Sequence, residues 1–293
     1  MTQPLFLSPQ DWRQYYRYTS GSPESRLLRI KKSRRFTAKE IRLHFPRSPA
    51  EDQEDLTLTI FEPHLPGRAP TILVNPIFRG QRIAKIFARY FARKGFNAVV
   101  LHHDPVAYDF RKNFDQIELY LKKAVIKNLK ALDWIAQHEK TESAKIGTFG
   151  ISFGAIIGSV VAAIDTRPRC HVIALAGAPV AHIIARTRNR TIRKLMRHES
   201  RRKAKSPRNL ALDILRHIKT EPLLFAKYVK SENVAMYISL FDRIVRPVYA
   251  RRLWKALGKP RAFFVPFGHY TSILAFPFAR RMAYRFFREK FAA

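Results

Sequence analysis

The chain has 293 residues, 46% of them hydrophobic, which is enough to bury a large core. Its only cysteine, Cys170, excludes an intrachain disulfide and a cysteine-based metal site. With 55 Lys and Arg against 22 Asp and Glu, the formal net charge is +33, a field that attracts nucleic acid, anionic lipid head groups or acidic substrates without distinguishing among them.

In chain order, residues 1–50 mix aromatic and basic side chains and read as a basic N-terminal arm, a helix and irregular stretch leading into early strands. Residues 51–293 read as one domain. Leu56 to Phe61 alternates polar and apolar residues in the period of a half-exposed strand. Thr71 to Phe78 and Asn97 to Leu101 are near-continuous apolar strands, with helical spacing from Ile83 to Phe91 between them. Ile117, Leu119, Leu121, Val125, Ile126, Leu129, Leu132 and Ile135 mark one face of a long helix, with lysines at 122, 123, 127 and 130 on the other side. Further strands follow at Val172–Ala176, Val234–Leu240 and Ala262–Pro266, and Thr271 to Phe291 reads as helical with an interruption near Pro277. Strands alternating with helices imply a mostly parallel sheet. Between the strands ending near Ala176 and beginning near Val234, an insertion at about 179–232 reads as a helical cap, its first half crowded with arginine and lysine.

The most informative segment is Lys145 to Gly158, a strand, the turn Gly150-Ile151-Ser152-Phe153-Gly154, and the start of a small-residue helix. A serine on such a strand-to-helix turn projects its hydroxyl from the sheet edge, and the helix N-terminus offers backbone donors to a developing oxyanion. Ser152 is therefore the candidate nucleophile. A serine hydroxyl needs a base, and the base needs an orienting group. Asp242 and His269, in Gly268-His269-Tyr270, each follow an expected strand. The competing readings are a surface pairing of Asp242 with Arg243 or Arg246, and an ordinary loop position for His269. Asp104 also ends a strand but precedes the turn and reads as a turn former. His102 and His103 lack the spacing of a metal site. Cys170 reads as a small core residue.

With the order Ser152, Asp242, His269 in place, the sequence from about Thr71 onward resembles the α/β-hydrolase superfamily, in particular bacterial serine esterases. The resemblance implies an α/β-hydrolase fold, a mostly parallel sheet of about eight strands with helices on both faces and a helical cap over the site. It implies Ser152 as nucleophile, His269 as general base and acid, Asp242 as orienting carboxylate, and no cofactor. Where many members carry His-Gly this chain carries Asn75-Pro76; Pro76 has no N–H, so the oxyanion donors are expected at Phe153 and Ile77, with Phe78 as alternate.

The expected activity is hydrolysis of a small-molecule carboxylic ester, its acyl group or leaving group anionic. An acyltransferase would use the same residues, and a non-catalytic member would keep only the anion-binding surface. Aromatic residues beside arginines from Phe276 to Phe291 have a composition suited to an anionic membrane surface. No nucleic-acid-binding motif accompanies the charge, so nucleic acid is not expected as a specific partner. The first residues show no signal-peptide pattern and the longest apolar run is too short to span a bilayer, so the expected location is cytoplasmic, peripheral at the inner membrane face.

Overall fold

The structure, a computed structural model, describes residues 8–18, 21–45, 55–77, 80–102 and 116–292. Its strands are β1 (Glu24–Lys32), β2 (Phe36–His44), β3 (Leu56–Pro63), β4 (Ala69–Asn75), β5 (Asn97–Leu101), β6 (Thr141–Ile151), β7 (Pro168–Ala174), β8 (Val234–Ser239) and β9 (Arg261–Val265). Among the described residues they form one nine-stranded sheet in the order β1-β2-β3-β5-β4-β6-β7-β8-β9. Pairings from β5 through β9 are parallel, and β1, β2 and β3 add an antiparallel edge.

The central strands are buried along nearly their whole length because helices cover both faces. Neighbours on one strand accordingly face different cores: Leu73 joins the cluster under α3 (Ile117–Gln137) and α4 (Phe153–Ile164). Ile72 and Val74 join the cluster under α2 (Arg82–Arg93) and α10 (Phe276–Ala292). Helix α2 shows why it forms where it does. Ala84, Phe87, Ala88, Phe91 and Ala92 recur at helical spacing and are buried, while Arg82, Arg89 and Arg93 lie on other faces. Phe286 and Phe287 of α10 are fully buried, each worth about 1.5–3 kcal/mol of apolar burial. Among the described residues no helix is long and apolar enough to cross a membrane.

Two expectations change. Among the described residues the sheet has nine strands rather than about eight, because residues expected within a basic arm form the β1–β2 hairpin; the helix expected ahead of it is α1 (Pro9–Tyr15). The pairing of Thr37 with Glu62 and of Ile41 with Leu58 carries the sheet without a break across the expected boundary at residues 50 and 51. The C-terminal stretch is helical as expected, with its interruption next to Pro277: Thr271–Ala275 is a 3-10 turn and α10 starts at Phe276, which puts Pro277 in the first turn, where the missing N–H would have no intrahelical partner. The insertion at about 179–232 contains α5 (Val180–Arg186), α6 (Arg190–Arg202), α7 (Pro207–His217), α8 (Pro222–Phe225) and two 3-10 turns before β8.

Candidate active site

The strand-to-helix turn at Ser152 is held by contacts that only its own sequence permits. β6 ends at Ile151, α4 begins at Phe153, and Ser152 between them takes φ 52° and ψ −116°, outside the regions that L-residues favour. Its N–H donates to the Ala174 carbonyl at 2.8 Å and its carbonyl accepts from the N–H groups of Ala155 and Ile156 at 3.0 Å, tying the strained residue to β7 and to the first turn of α4. Both flanking glycines are required by close approach. A Cβ on Gly150 would meet the Gly154 carbonyl oxygen at 2.6 Å, and one on Gly154 would meet the carbonyl oxygens of Asn75 and Pro76 at 2.5 Å.

Asp242 and His269 arrive on loops after adjacent parallel strands, which backbone bonds stitch together. Leu240 N–H donates to the Val265 carbonyl at 2.9 Å and Phe241 N–H to the Phe267 carbonyl at 3.0 Å. Asp242, 3% exposed, accepts at Oδ1 from the N–H groups of Ile244 and Val245 at 2.7 and 2.9 Å. Its Oδ2 lies 2.7 Å from His269 Nδ1, and His269 Nε2 lies 3.1 Å from Ser152 Oγ. The consistent proton placement is Ser152 O–H donating to Nε2 and Nδ1–H donating to the carboxylate, the tautomer in which the imidazole can accept the serine proton. The three residues singled out in the sequence are thus joined, and Asp242 pairs with the imidazole rather than with Arg243 or Arg246.

Phe153 opens α4, where first-turn N–H groups point out of the helix, and its ring stacks on Tyr120 of α3 with centroids 5.1 Å apart. Ile77 follows the Asn75-Pro76 carbonyls packed on Gly154, and its carbonyl accepts from Gly80 N–H at 3.2 Å. Ile77 and Phe153 both line the cavity that holds Ser152 and His269. Phe78, His103 and Asp104 lie outside the described residues.

That cavity has a volume of about 630 Å³ and is walled mainly by aliphatic side chains, among them Leu121, Ile156, Val180, Ile183, Ile192 and Leu195. Among the described residues His269 is the one acidic or basic side chain that lines it. The cap residues in this wall come from α5 and α6, in the arginine-rich half of the insertion, a contribution masked in the sequence by the charges between them. Asn189 caps α6 by accepting from Ile192 N–H at 3.1 Å, and its Nδ2 donates to the Tyr270 hydroxyl at 3.1 Å, fastening the cap beside His269. Glu221, which no local pattern singles out, is buried at the start of α8 and accepts from Val180 N–H at 2.7 Å. Burial pushes its carboxyl up to about 7 against the opposing pull of the Val180 and Leu223 N–H groups.

Residues 129–231 match the family described as BAAT / Acyl-CoA thioester hydrolase C terminal. An uncharacterized protein of Mycobacterium tuberculosis (strain ATCC 25618 / H37Rv) is 30% identical over 141 residues, which take up 47% of this chain and 31% of that relative. The chain is similar in structure to an acetyl xylan esterase from Paenibacillus sp. R4, with TM-score 0.72 and 16% identity over 98% of this chain and 94% of that one. Acetyl xylan esterase 1 from Thermoanaerobacterium sp. JW/SL YS485 gives 0.71 and 14% over 96% and 94%. An acylaminoacyl peptidase of Pyrococcus horikoshii gives 0.61 and 16%, covering 93% of this chain and 42% of that one. The chain has the α/β-hydrolase fold.

Proposed function

We propose that the protein is a serine hydrolase that cleaves a carboxylic ester, oxygen or sulfur, through an acyl-Ser152 intermediate. One observation carries the reading: the unbroken hydrogen-bond chain from Ser152 Oγ through His269 to the buried Asp242 carboxylate. Ser152 Oγ attacks the ester carbonyl carbon as its proton passes to His269 Nε2, and the carbonyl oxygen becomes an oxyanion. The N–H groups of Phe153 and Ile77 receive that charge, each such donor being worth about two to three orders of magnitude in rate. Collapse breaks the bond to the leaving alcohol or thiol, which takes the proton from His269. Water then gives a proton to His269 and attacks the acyl carbon, and Ser152 leaves with that proton restored. Asp242 fixes the imidazole tautomer and stabilises its cationic form throughout.

The apolar cavity beside Ser152 fits the acyl chain, and its size lies in the range of small-molecule sites. The match of residues 129–231 to a thioester hydrolase family, and the fold shared with esterases, point the same way. The test is labelling by a serine-directed fluorophosphonate, with the adduct located by mass spectrometry. The expected result is an adduct on Ser152 that is absent in Ser152→Ala and lost or slowed at least a hundredfold in His269→Ala. A folded protein that takes no adduct, or takes one elsewhere, would sink the assignment.

A further inference from the structure

The mouth of the cavity differs from its walls. Phe241, Tyr270 and Leu274 are 66%, 70% and 69% exposed, and Ile273 is half exposed beside them, an unusual cost for large apolar side chains on the two loops that deliver Asp242 and His269. Tyr270 and Ile273 also line the cavity, so this exposed group is continuous with the acyl-sized interior.

Three exposed arginines belong to the same rim. Arg188 sits between the cavity-lining Thr187 and Asn189, Arg190 between Asn189 and Thr191, and Arg243 immediately before Ile244. Arg188 N–H donates to the Arg243 carbonyl at 3.1 Å, Asn189 Nδ2 to the Tyr270 hydroxyl at 3.1 Å and Phe241 N–H to the Phe267 carbonyl at 3.0 Å. Three separate segments are thereby joined into one surface. Among the described residues none of the three arginines has a carboxylate partner: Asp242, next to Arg243, is buried against His269, and Glu199, the carboxylate nearest in sequence to Arg188 and Arg190, pairs with Arg202.

Aromatic and aliphatic side chains among unpaired arginines, around the opening of an apolar cavity, form the chemistry that seats on an anionic bilayer: the apolar tips enter the interface while the guanidinium groups meet phosphates. Resting on the hydrolase reading, we propose that this rim docks on an anionic lipid surface and that the substrate is an acyl ester of an anionic lipid, drawn from the bilayer into the cavity. The cleaved bond is the acyl ester, so hydrolysis releases a fatty acid and leaves the hydroxyl on the lipid.

The whole +33 charge also draws the protein to anionic vesicles, so the test separates the rim from the general field. Ser152→Ala protein is sedimented with phosphatidylglycerol or phosphatidylcholine vesicles, alone and with two further sets of changes. The rim set is Phe241→Ser, Leu274→Ser, Arg188→Gln, Arg190→Gln and Arg243→Gln. The control set, Arg26→Gln, Arg29→Gln and Lys31→Gln, removes as many charges from β1, five strand spacings or about 24 Å from β6 and beyond a Debye length at physiological salt. The rim set is expected to weaken binding to phosphatidylglycerol at least tenfold, and the control set less than threefold. Equal losses in the two sets would overturn the proposal.

Because binding is read on the serine-less protein, this outcome does not depend on whether Ser152 is the nucleophile. Turnover supplies the second readout, in protein that keeps Ser152. Fatty-acid release from phosphatidylglycerol vesicles should fall with the rim set much further than hydrolysis of soluble 4-(decanoyloxy)benzoate. A larger loss on the soluble anionic ester would assign the arginines to a soluble leaving group and overturn the lipid surface. Fluorophosphonate-inert protein that still loses vesicle binding with the rim set would refute the hydrolase reading and the lipid-ester substrate while leaving the docking surface intact.

Discussion

Glu221→Gln should make the protein more stable at pH 8 but not at pH 5. In the fold the carboxyl is buried, its Oε1 has no hydrogen-bond partner, and its Oε2 receives one bond, from Val180 N–H at 2.7 Å. The backbone N–H groups of Val180 and Leu223 favour the carboxylate by less than burial disfavours it, so burial wins and the carboxyl is raised from 4.5 to about 7. Between pH 4.5 and about 7 the folded state keeps a proton that the unfolded state has released, so stability falls as pH rises through that window and levels off above it. At about 1.36 kcal/mol per pH unit the full loss is about 3 kcal/mol, of which roughly 2–3 kcal/mol falls between pH 5 and pH 8. Gln keeps an acceptor for Val180 and carries no charge at any pH, so it escapes this loss. Burial also lowers His171 to about 4 from 6.5, which makes stability rise with pH between those values. Both proteins contain His171, so its contribution cancels in their difference. The assay is urea unfolding of the two proteins at pH 5 and pH 8. With an m-value of about 3 kcal/mol/M the advantage of Gln should grow by close to 1 M in midpoint between the two pH values. A difference that is the same at both pH values would refute the argument, since the carboxyl would then ionise in the fold as readily as in the unfolded chain.

Asp242→Asn should leave the fold and KM nearly unchanged and lower kcat by about four orders of magnitude, because the imidazole would then favour the wrong tautomer; a loss under tenfold in steady-state kinetics would contradict the orienting role. Gly154→Ala should cost about 1–3 kcal/mol in thermal or urea unfolding and at least a hundredfold in kcat, because its Cβ would press at 2.5 Å on two carbonyls of the segment leading to Ile77. Gly158→Ala, one turn further along the same helix, should be neutral or stabilising by up to about 1 kcal/mol, since its Cβ would meet only Asn75 Nδ2 at 3.8 Å. A Gly154→Ala protein as stable and active as Gly158→Ala would show that the close approach is not what fixes the turn.

What could be read in the sequence was what short range determines. The Gly-Ile-Ser-Phe-Gly motif shows as residues within two positions of Ser152, although Asn75, Pro76 and Ala174 brace the turn from afar, and the buried strands show as unbroken apolar runs. The β1–β2 hairpin escaped because β1 is exposed along its whole length and a bulge between Leu27 and Arg29 shifts its register, so no alternation survives in Glu24-Ser25-Arg26-Leu27-Leu28-Arg29-Ile30. Glu221 escaped because its partner, Val180, lies 41 residues away. The rim escaped for the same reason on a larger scale: Arg188, Phe241 and Leu274 come from three segments, each unremarkable alone, and only the stitching of the loops after β8 and β9 to the start of α6 makes them one surface.

That division also bears on what decides the reaction. The turn at Ser152 and the loops carrying Asp242 and His269 sit on a fold shared with acetyl xylan esterases and with an acylaminoacyl peptidase, so the elements that can be read locally are those that do not choose the substrate. On the proposed reading the choice falls to the cavity wall from α5 and α6 and to the rim around it, where apolar and cationic side chains interleave. In a chain with so large a positive surplus, most arginines serve the general field. Arg188, Arg190 and Arg243 differ in flanking an acyl-sized cavity, and moving charge there should alter which ester reaches Ser152, whereas moving it on β1 should alter only how strongly the protein is drawn to any anion.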